Sequence, residues 1–195
     1  MARFKAFKET SRSRFLSPAE MQKFLTTLQD FRSEPWRDVF FTALLTGARI
    51  RNVMAMRWNE INMEAGVWTI PGLKTKNSEE MRVPLVPEMV ELLEERKRHC
   101  VGTWVFPGNK DHARDYRAPW QHLCEAVGVE NLHVHDLRRS VGSWLAAGGA
   151  SMPIIGKALG HLDAKSTRRF TPALTLTRYA PHWRTPQAPC WPPLE

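Results

Sequence analysis

The stretch HVHDLRRSVGSWLA, residues 133–146, decides the fold because it predicts an amphipathic helix that is rich in cationic side chains. We predict a helix over residues 135–147, ended by Gly148 and Gly149. His135 and Arg138 are three residues apart, which places both on one helix face. Together they can donate to one phosphoryl group, while Arg139 points elsewhere.

Further helices are predicted on both sides of this stretch. Ser17 can cap the first of them, with Pro18 at its first position and Glu20 completing a capping box. Gly47 can end a strongly apolar helix that precedes it, and RIRNVMAMRW, residues 49–58, predicts a shorter helix. The predicted helices after the first cover residues 36–46, 49–58, 86–99, 115–127, 135–147 and 152–159.

The middle of the chain predicts a small sheet. GVWTIPG, residues 66–72, and EEMRVPLV, residues 79–86, are short β-prone runs separated by the turn-like LKTKNSE, residues 73–79. We expect an antiparallel hairpin or a three-stranded sheet, with Pro84 on an edge strand or at its end. The fold class is therefore mainly α with a small antiparallel β-sheet (α+β).

Composition limits the function classes. The chain has 195 residues and a formal net charge of +8, which favours an anionic partner. Its three cysteines share no CxxC spacing, which argues against a disulfide framework or a structural zinc site and suits a reducing cytoplasm. It has no apolar run of about 18 residues and no apolar core to its N-terminus, so we expect a cytoplasmic protein without a membrane span or a secretory signal.

Three further motifs place cations where a phosphate could bind. Arg49 follows a T-G-A turn at a helix start, and its guanidinium fork suits a phosphate. Lys74 and Lys76 precede a strand, where a lysine on a turn can give a proton to a leaving oxygen. His161 follows A-L-G at a helix end. The alternatives are a surface arginine, a solvated hairpin tip and a histidine that caps helix carbonyls.

A metal site is the competing interpretation of the histidines. His133 and His135 form an H-x-H pair beside Asp136, and His161 could complete a zinc site of a nuclease or hydrolase. The adjacent arginines would repel a cation, so we expect neither a metal nor another cofactor.

Taken in order, the motifs resemble the boxes of the tyrosine recombinase (phage integrase) family. The matching stretches are TGARIRNVMAMRW, TKNSEEMRVPL, HDLRRSVGSWLAAGG and IIGKALGH, and the resemblance extends from about Ser17 to Tyr179. It implies the catalytic-domain fold of that family and a metal-independent DNA strand transferase. Such enzymes integrate or recombine mobile DNA through a 3′-phosphotyrosyl link. The implied partner is double-stranded DNA, bound by a tetrameric synapse in the cytoplasm of a prokaryotic cell, with a bacterial or phage gene as the source.

The resemblance also implies a role for each cation. Five side chains match family positions: Arg49, Lys76, His135, Arg138 and His161. The two arginines would clamp the scissile phosphate, and the lysine would be the general acid, with Lys74 as the fallback. The two histidines would position the phosphate and assist proton transfer.

The expected nucleophile is replaced. Nine residues after His161, where the family has tyrosine, STRRF places Phe170. Tyr179, in TRYAPH, is a further nine residues along the chain. Either Phe170 disarms the enzyme, or Tyr179 is a displaced nucleophile acting in cis or on a neighbouring protomer, or the lineage binds DNA without cleaving it.

The sequence also predicts the domain organisation. We expect a basic linker or arm over residues 1–16, the catalytic domain over residues 17–180 and a proline-rich tail over residues 181–195. We expect no counterpart here to the N-terminal helical domain with which the family closes its clamp around DNA. Either the chain is a fragment, or the catalytic half binds DNA alone with the help of basic residues 3–14, and we favour the fragment. We therefore expect a fragment that binds DNA weakly and with a strong dependence on salt.

Overall fold

The structure, a computed structural model, describes residues 14–75, 78–109 and 111–160. Within these ranges the chain forms α-helices and one small sheet, and no helix there is long and apolar enough to cross a membrane. The helices are α1 (Pro18–Gln29), α2 (Glu34–Thr46), α3 (Ile50–Met54), α4 (Pro87–His99), α5 (Arg117–Val127), α6 (Val134–Ala147) and α7 (Met152–Ala158). The strands are β1 (Ile61–Asn62), β2 (Val67–Ile70) and β3 (Met81–Pro84), with 3₁₀ turns at Trp58–Glu60 and Gly72–Lys74.

The sheet is antiparallel with the order β1-β2-β3, which confirms the predicted class. Trp68 of β2 pairs with Ile61 on one side and Val83 on the other, and its side chain is fully buried. Strand β3 is an edge strand and ends at Pro84, as predicted, because proline has no N–H to donate to a further strand.

The helix starts and ends follow the predicted local signals. Ser17 Oγ accepts from Glu20 N at 3.3 Å and the Glu20 carboxylate accepts from Ser17 N at 2.9 Å, which is the expected capping box. Gly47, with φ of 60°, ends α2 in the left-handed conformation. The helices predicted over 115–127, 135–147 and 152–159 are α5, α6 and α7, each within two residues of the predicted bounds.

The core forms around α2, which packs against α1, α3, α4 and α6. Phe40 of α2 and Phe24 of α1 both contact Trp120 of α5, with ring centroids 5.1 and 6.0 Å apart. Leu16, immediately before α1, is fully buried, and its N–H donates to Ser140 Oγ of α6 at 2.8 Å. The aromatic contacts thus join α1 and α2 to α5, and the hydrogen bond from Leu16 joins the start of the domain to α6, the helix that carries the H-x-x-R motif.

The helix predicted over residues 49–58 is wrong in its length. Helix α3 ends at Met54, and Arg57 is extended and pairs with Trp104 in an isolated antiparallel bridge. This change of direction lets Met56 bury its side chain completely. Trp58 starts the following 3₁₀ turn, and so it does not share a helix face with Ile50.

Candidate active site

The T-G-A-R turn is fixed by its own side chains and by α7. Thr46 Oγ1 accepts from Ala48 N at 3.2 Å, which holds the turn after α2. A Cβ at Gly47 would lie 3.0 Å from Leu159 Cδ2 at a positive φ, so glycine suits both the conformation and the close approach. The next residue but one, Arg49, is the N-cap of α3, as predicted.

The start of α6 is organised by a buried carboxylate. Asp136 is fully buried, and it accepts from His133 N at 2.9 Å and from Arg139 Nη1 at 2.5 Å. The sequence alone indicates only that Asp136 lies beside the H-x-H pair. Its observed role explains why Arg139 is directed away from Arg138, since the carboxylate holds it.

Arg138 joins three parts of the domain. Its side chain is 2% exposed, with Nη1 donating to the Gly47 carbonyl at 2.6 Å and Nη2 donating to the Leu159 carbonyl. Burial first, and the charge of Arg49 second, lower the pKa of Arg138 to about 9. That value is above neutral, so the guanidinium keeps its charge at physiological pH. The same residue therefore fixes the T-G-A-R turn to the end of α7 and supplies a buried positive charge.

His135 lies among these charges with part of its surface exposed. Desolvation of the ring, followed by the positive charges of Arg138 and Arg139, lowers its pKa to about 4. Arg49 acts in the same direction, and Asp136 opposes it. The imidazole is therefore neutral at physiological pH, with one nitrogen that can donate and one that can accept. Arg138 donates to the carbonyl of Gly47, two residues before Arg49, and the charge of Arg49 lowers the pKa of both Arg138 and His135.

Lys74, the alternative to Lys76 as general acid, is bound to other residues of the domain. Lys74 Nζ lies 2.5 Å from Glu60 Oε1 and 2.5 Å from the carbonyl oxygen of Ala55. Lys76 and His161 lie outside the described residues, as do the two candidate positions for the nucleophile, Phe170 and Tyr179. The tail and all but the last three residues of the arm also lie outside them.

No group of three potential metal ligands comes together within residues 14–75, 78–109 and 111–160. His161, the third ligand of the zinc alternative, lies beyond these ranges. Asp136, which that alternative placed beside the H-x-H pair, is bound to Arg139 and to the backbone of His133.

The structure is thus a mainly helical α+β domain in which Arg138 of the H-x-x-R motif binds the turn that leads into Arg49. The chain belongs to the phage integrase family, whose sequence model matches residues 14–175. This confirms the resemblance found in the sequence.

Individual relatives agree with the family assignment. The integrase of Salmonella phage P22 is 24% identical over 179 residues, covering 83% of this chain and 44% of that protein. Tyrosine recombinase XerD of Lacticaseibacillus casei is 27% identical over 147 residues, covering 69% and 49%. The chain thus spans about half the length of the curated relatives it matches.

The fold also matches solved structures. One is the Tn1549 transposon integrase in complex with a circular intermediate DNA, with a TM-score of 0.75 and 16% identity. The match covers 85% of this chain and 63% of that one. It confirms the predicted catalytic-domain fold.

Proposed function

We propose that this chain is the catalytic region of a site-specific DNA recombinase or integrase that acts on double-stranded DNA. The observation that carries the proposal is the hydrogen bond of Arg138, in the second turn of α6 after His135, to the Gly47 carbonyl of the turn that leads into Arg49 at the start of α3. Two relatives named integrase and tyrosine recombinase support it, as does the fold match to an integrase bound to DNA.

The three described side chains suit the phosphate of a DNA strand. A pentavalent phosphorane transition state carries more negative charge than the phosphodiester, and fixed cations stabilise that increase. Arg138 is held by two backbone carbonyls, so its charge needs little reorganisation during the reaction. His135 is neutral, so it can contribute a hydrogen bond without adding to the repulsion between the two arginines.

Lys76 is the proposed general acid, with His161 assisting. Lys74, the other lysine of the motif, is bound to Glu60 and to the Ala55 carbonyl, which directs it into the domain. That engagement supports Lys76, which follows two residues later, as the lysine that protonates the leaving oxygen.

The proposed reaction consists of two transfers of one phosphoryl group. A tyrosine oxygen attacks the phosphorus and gives up its proton, the bond to the 5′-oxygen breaks, and the lysine protonates that oxygen. The 5′-hydroxyl of a partner strand then attacks the phosphotyrosyl link, and the tyrosine oxygen recovers a proton. Partner-strand exchange requires several protomers on DNA, for which we propose a tetrameric synapse in the bacterial cytoplasm.

Trapping of a covalent adduct tests the function and its nucleophile. The chain, Tyr179→Phe and Phe170→Tyr are incubated with nicked suicide substrates, and denaturing gels detect protein joined to DNA. Tyr179 as nucleophile predicts an adduct that is lost in Tyr179→Phe. A disarmed site predicts no adduct until Phe170→Tyr restores it.

Phe170 gives a specific reason to keep the second candidate function, DNA binding without cleavage. It predicts no adduct with any of the three proteins, together with DNA binding that depends on Arg49. Activity that required an added metal ion would contradict both candidates, and removal of metal with EDTA provides that control.

A further inference from the structure

The backbone after α3 holds an arginine and a tryptophan opposite each other. Arg57 and Trp104 are the facing residues of the isolated antiparallel bridge. Two backbone hydrogen bonds, donated by Trp58 N at 3.1 Å and by Val105 N at 3.0 Å, lie on either side of them. The side chains of such a non-hydrogen-bonded pair approach each other closely, so the backbone itself places Arg57 against the indole of Trp104.

The guanidinium of Arg57 lies over the indole ring. Its Cζ atom is 4.4 Å from the ring centroid, which is within the range of a cation–π contact. The His112 ring packs against the same indole with centroids 4.9 Å apart, and His112 Nδ1 lies 2.8 Å from the Ala113 carbonyl. The indole is therefore held by its own neighbours, and it orients the guanidinium in turn.

The donors of this guanidinium are not used within the described domain. Over residues 14–75, 78–109 and 111–160, the Arg57 side chain has no hydrogen-bond acceptor and no ion pair, and its Nε atom is buried. The Glu60 carboxylate accepts from Lys74 Nζ and from the backbone N–H of Arg57. Because Nε is buried, the two Nη nitrogens are the donors that remain open to a ligand.

A second arginine stacked on an aromatic ring shows the same arrangement with its donors occupied. Arg96 lies 4.7 Å from the centroid of the Phe106 ring, and it donates to the Val105 carbonyl at 3.2 Å and to the Asp38 carboxylate at 2.6 Å. Pairing of this kind is usual for an arginine that is largely buried. Arg57 has the ring without the carboxylate, so its positive charge is left for an anion from outside the described chain.

We propose that Arg57, stacked on Trp104, binds a phosphate of the DNA backbone at a second anion site, built by the Arg57–Trp104 bridge rather than by α6. This inference rests on the proposed function, which supplies DNA as the partner. A guanidinium fork matches two oxygens of one phosphate, and the ring beneath it fixes the direction of the fork before DNA binds. Such a contact positions the duplex on the domain and carries no sequence information.

An NMR spectrum of the arginine Nε–Hε groups tests the site in the unmodified chain. The Arg57 signal is assigned by its loss in Arg57→Gln. Inorganic phosphate should shift this signal more than sodium chloride does at the same ionic strength. The Arg96 signal should stay in place, because Arg96 is already paired. An equal response of the Arg57 signal to phosphate and to chloride would overturn the proposal.

The salt dependence of DNA binding tests the site with the duplex itself. Arg57→Gln should reduce the slope by about 0.9, the value for one phosphate contact, and should weaken binding about ten-fold at low salt for duplexes of different sequence. Fluorescence anisotropy measures both quantities, and circular dichroism shows whether the variant is folded. If Arg57→Gln does not fold, the phosphate titration of the unmodified chain decides.

Arg114→Gln is the matched control for this measurement. It removes the same charge two residues after His112, where Asp111 already pairs with the arginine, so it should change the slope less. Equal reductions in both variants would show an effect of net charge alone and would overturn the proposal.

The outcomes separate the inference from the function on which it rests. If the parent binds duplex DNA with a slope that Arg57→Gln leaves unchanged, DNA binding stands and the second site fails. An unchanged slope together with a loss of self-association in sedimentation would assign the Arg57 fork to a carboxylate of a second copy, which also overturns the proposal. If the parent binds no duplex DNA at low salt, the proposed function fails, and the phosphate titration alone decides whether Arg57 forms an anion site.

Discussion

Arg138 binds two backbone carbonyls and also supplies a positive charge, and a lysine could not replace it in both roles. A guanidinium has five N–H donors in a rigid fork, so it can bind the Gly47 and Leu159 carbonyls and still present its charge beside Arg49. A lysine has a single nitrogen at the end of a flexible chain, so it cannot reproduce the fixed spacing of the two nitrogens that donate to these carbonyls. The sequence predicted that Arg138 lies on a helix, three residues after His135, and α6 contains both residues. The two carbonyls that it binds could not be predicted, because every residue has a backbone carbonyl and the sequence does not show which of them Arg138 contacts.

His135 should titrate well below an ordinary histidine. Because its pKa in the folded protein is about 4 against 6.5, the unfolded chain binds the proton first as the pH falls. The stability contributed by the neutral ring is therefore present above pH 6.5 and is lost as the pH falls from 6.5 to 4. An NMR titration of the ring protons measures the midpoint. Arg49→Gln should raise that midpoint, since it removes one of the charges that lower the pKa.

The matched comparison is Arg98→Gln, which removes a charge that the His135 pKa does not depend on. The same titration should give an unchanged midpoint for His135 in that variant. A midpoint near 6.5 in the parent protein would contradict the site geometry described above.

Elements with local signals were predictable, and elements set by distant contacts were not. The capping box of Ser17 and Glu20 lies within four residues, so the start of α1 followed from the sequence alone. The end of α3 depends on the pairing of Arg57 with Trp104, which are 47 positions apart in the numbering and share no sequence pattern. The contacts of the Thr75 hydroxyl with the Gly72 and Glu79 carbonyls were also missed, although a threonine near a turn is a common hydrogen-bonding residue.

The ion pair between α2 and α4 should be the most sensitive polar contact between helices. Asp38 and Arg96 are 5% and 10% exposed, with Oδ2 and Nη1 separated by 2.6 Å. Asp38→Ala leaves the guanidinium buried without this carboxylate, which should lower the free energy of unfolding by about 3–5 kcal/mol. Urea denaturation followed by circular dichroism measures the change.

An exposed ion pair provides the comparison for this prediction. Glu80 and Arg82 lie 3.1 Å apart but are 54% and 77% exposed, so Glu80→Ala should cost about 0–1 kcal/mol. The double replacement Asp38→Ala with Arg96→Met should recover part of the stability that the single one loses, because no buried charge then remains. A similar small loss for Asp38→Ala and Glu80→Ala would contradict the importance of burial.

At the scale of the whole molecule, the net charge should determine how DNA binding depends on salt. The net charge of +8 favours DNA at any sequence, while the chain spans about half the length of its curated relatives. DNA binding that depends mainly on contacts between cationic side chains and phosphates should be weak at physiological salt and should fall steeply as salt is added. The sequence predicted this behaviour from composition, and the structure adds the particular arginines through which it can be measured.

The salt dependence of DNA binding should identify Arg49 as a phosphate contact. The logarithm of the association constant falls linearly with the logarithm of the salt concentration, with a slope of about 0.9 per phosphate neutralised. Arg49→Gln should therefore reduce the slope by about one contact, equally for DNA of different sequence. Fluorescence anisotropy with a labelled duplex between low and physiological salt measures the slope.

Arg98→Gln is the matched control. It removes one positive charge from the last turn of α4, where Arg98 already pairs with Glu95 at 2.7 Å, so it should change the slope less. Equal reductions in both variants would mean that net charge alone drives binding, whereas a reduction confined to Arg49→Gln would mean that the phosphate sits beside Arg49, next to His135 and Arg138.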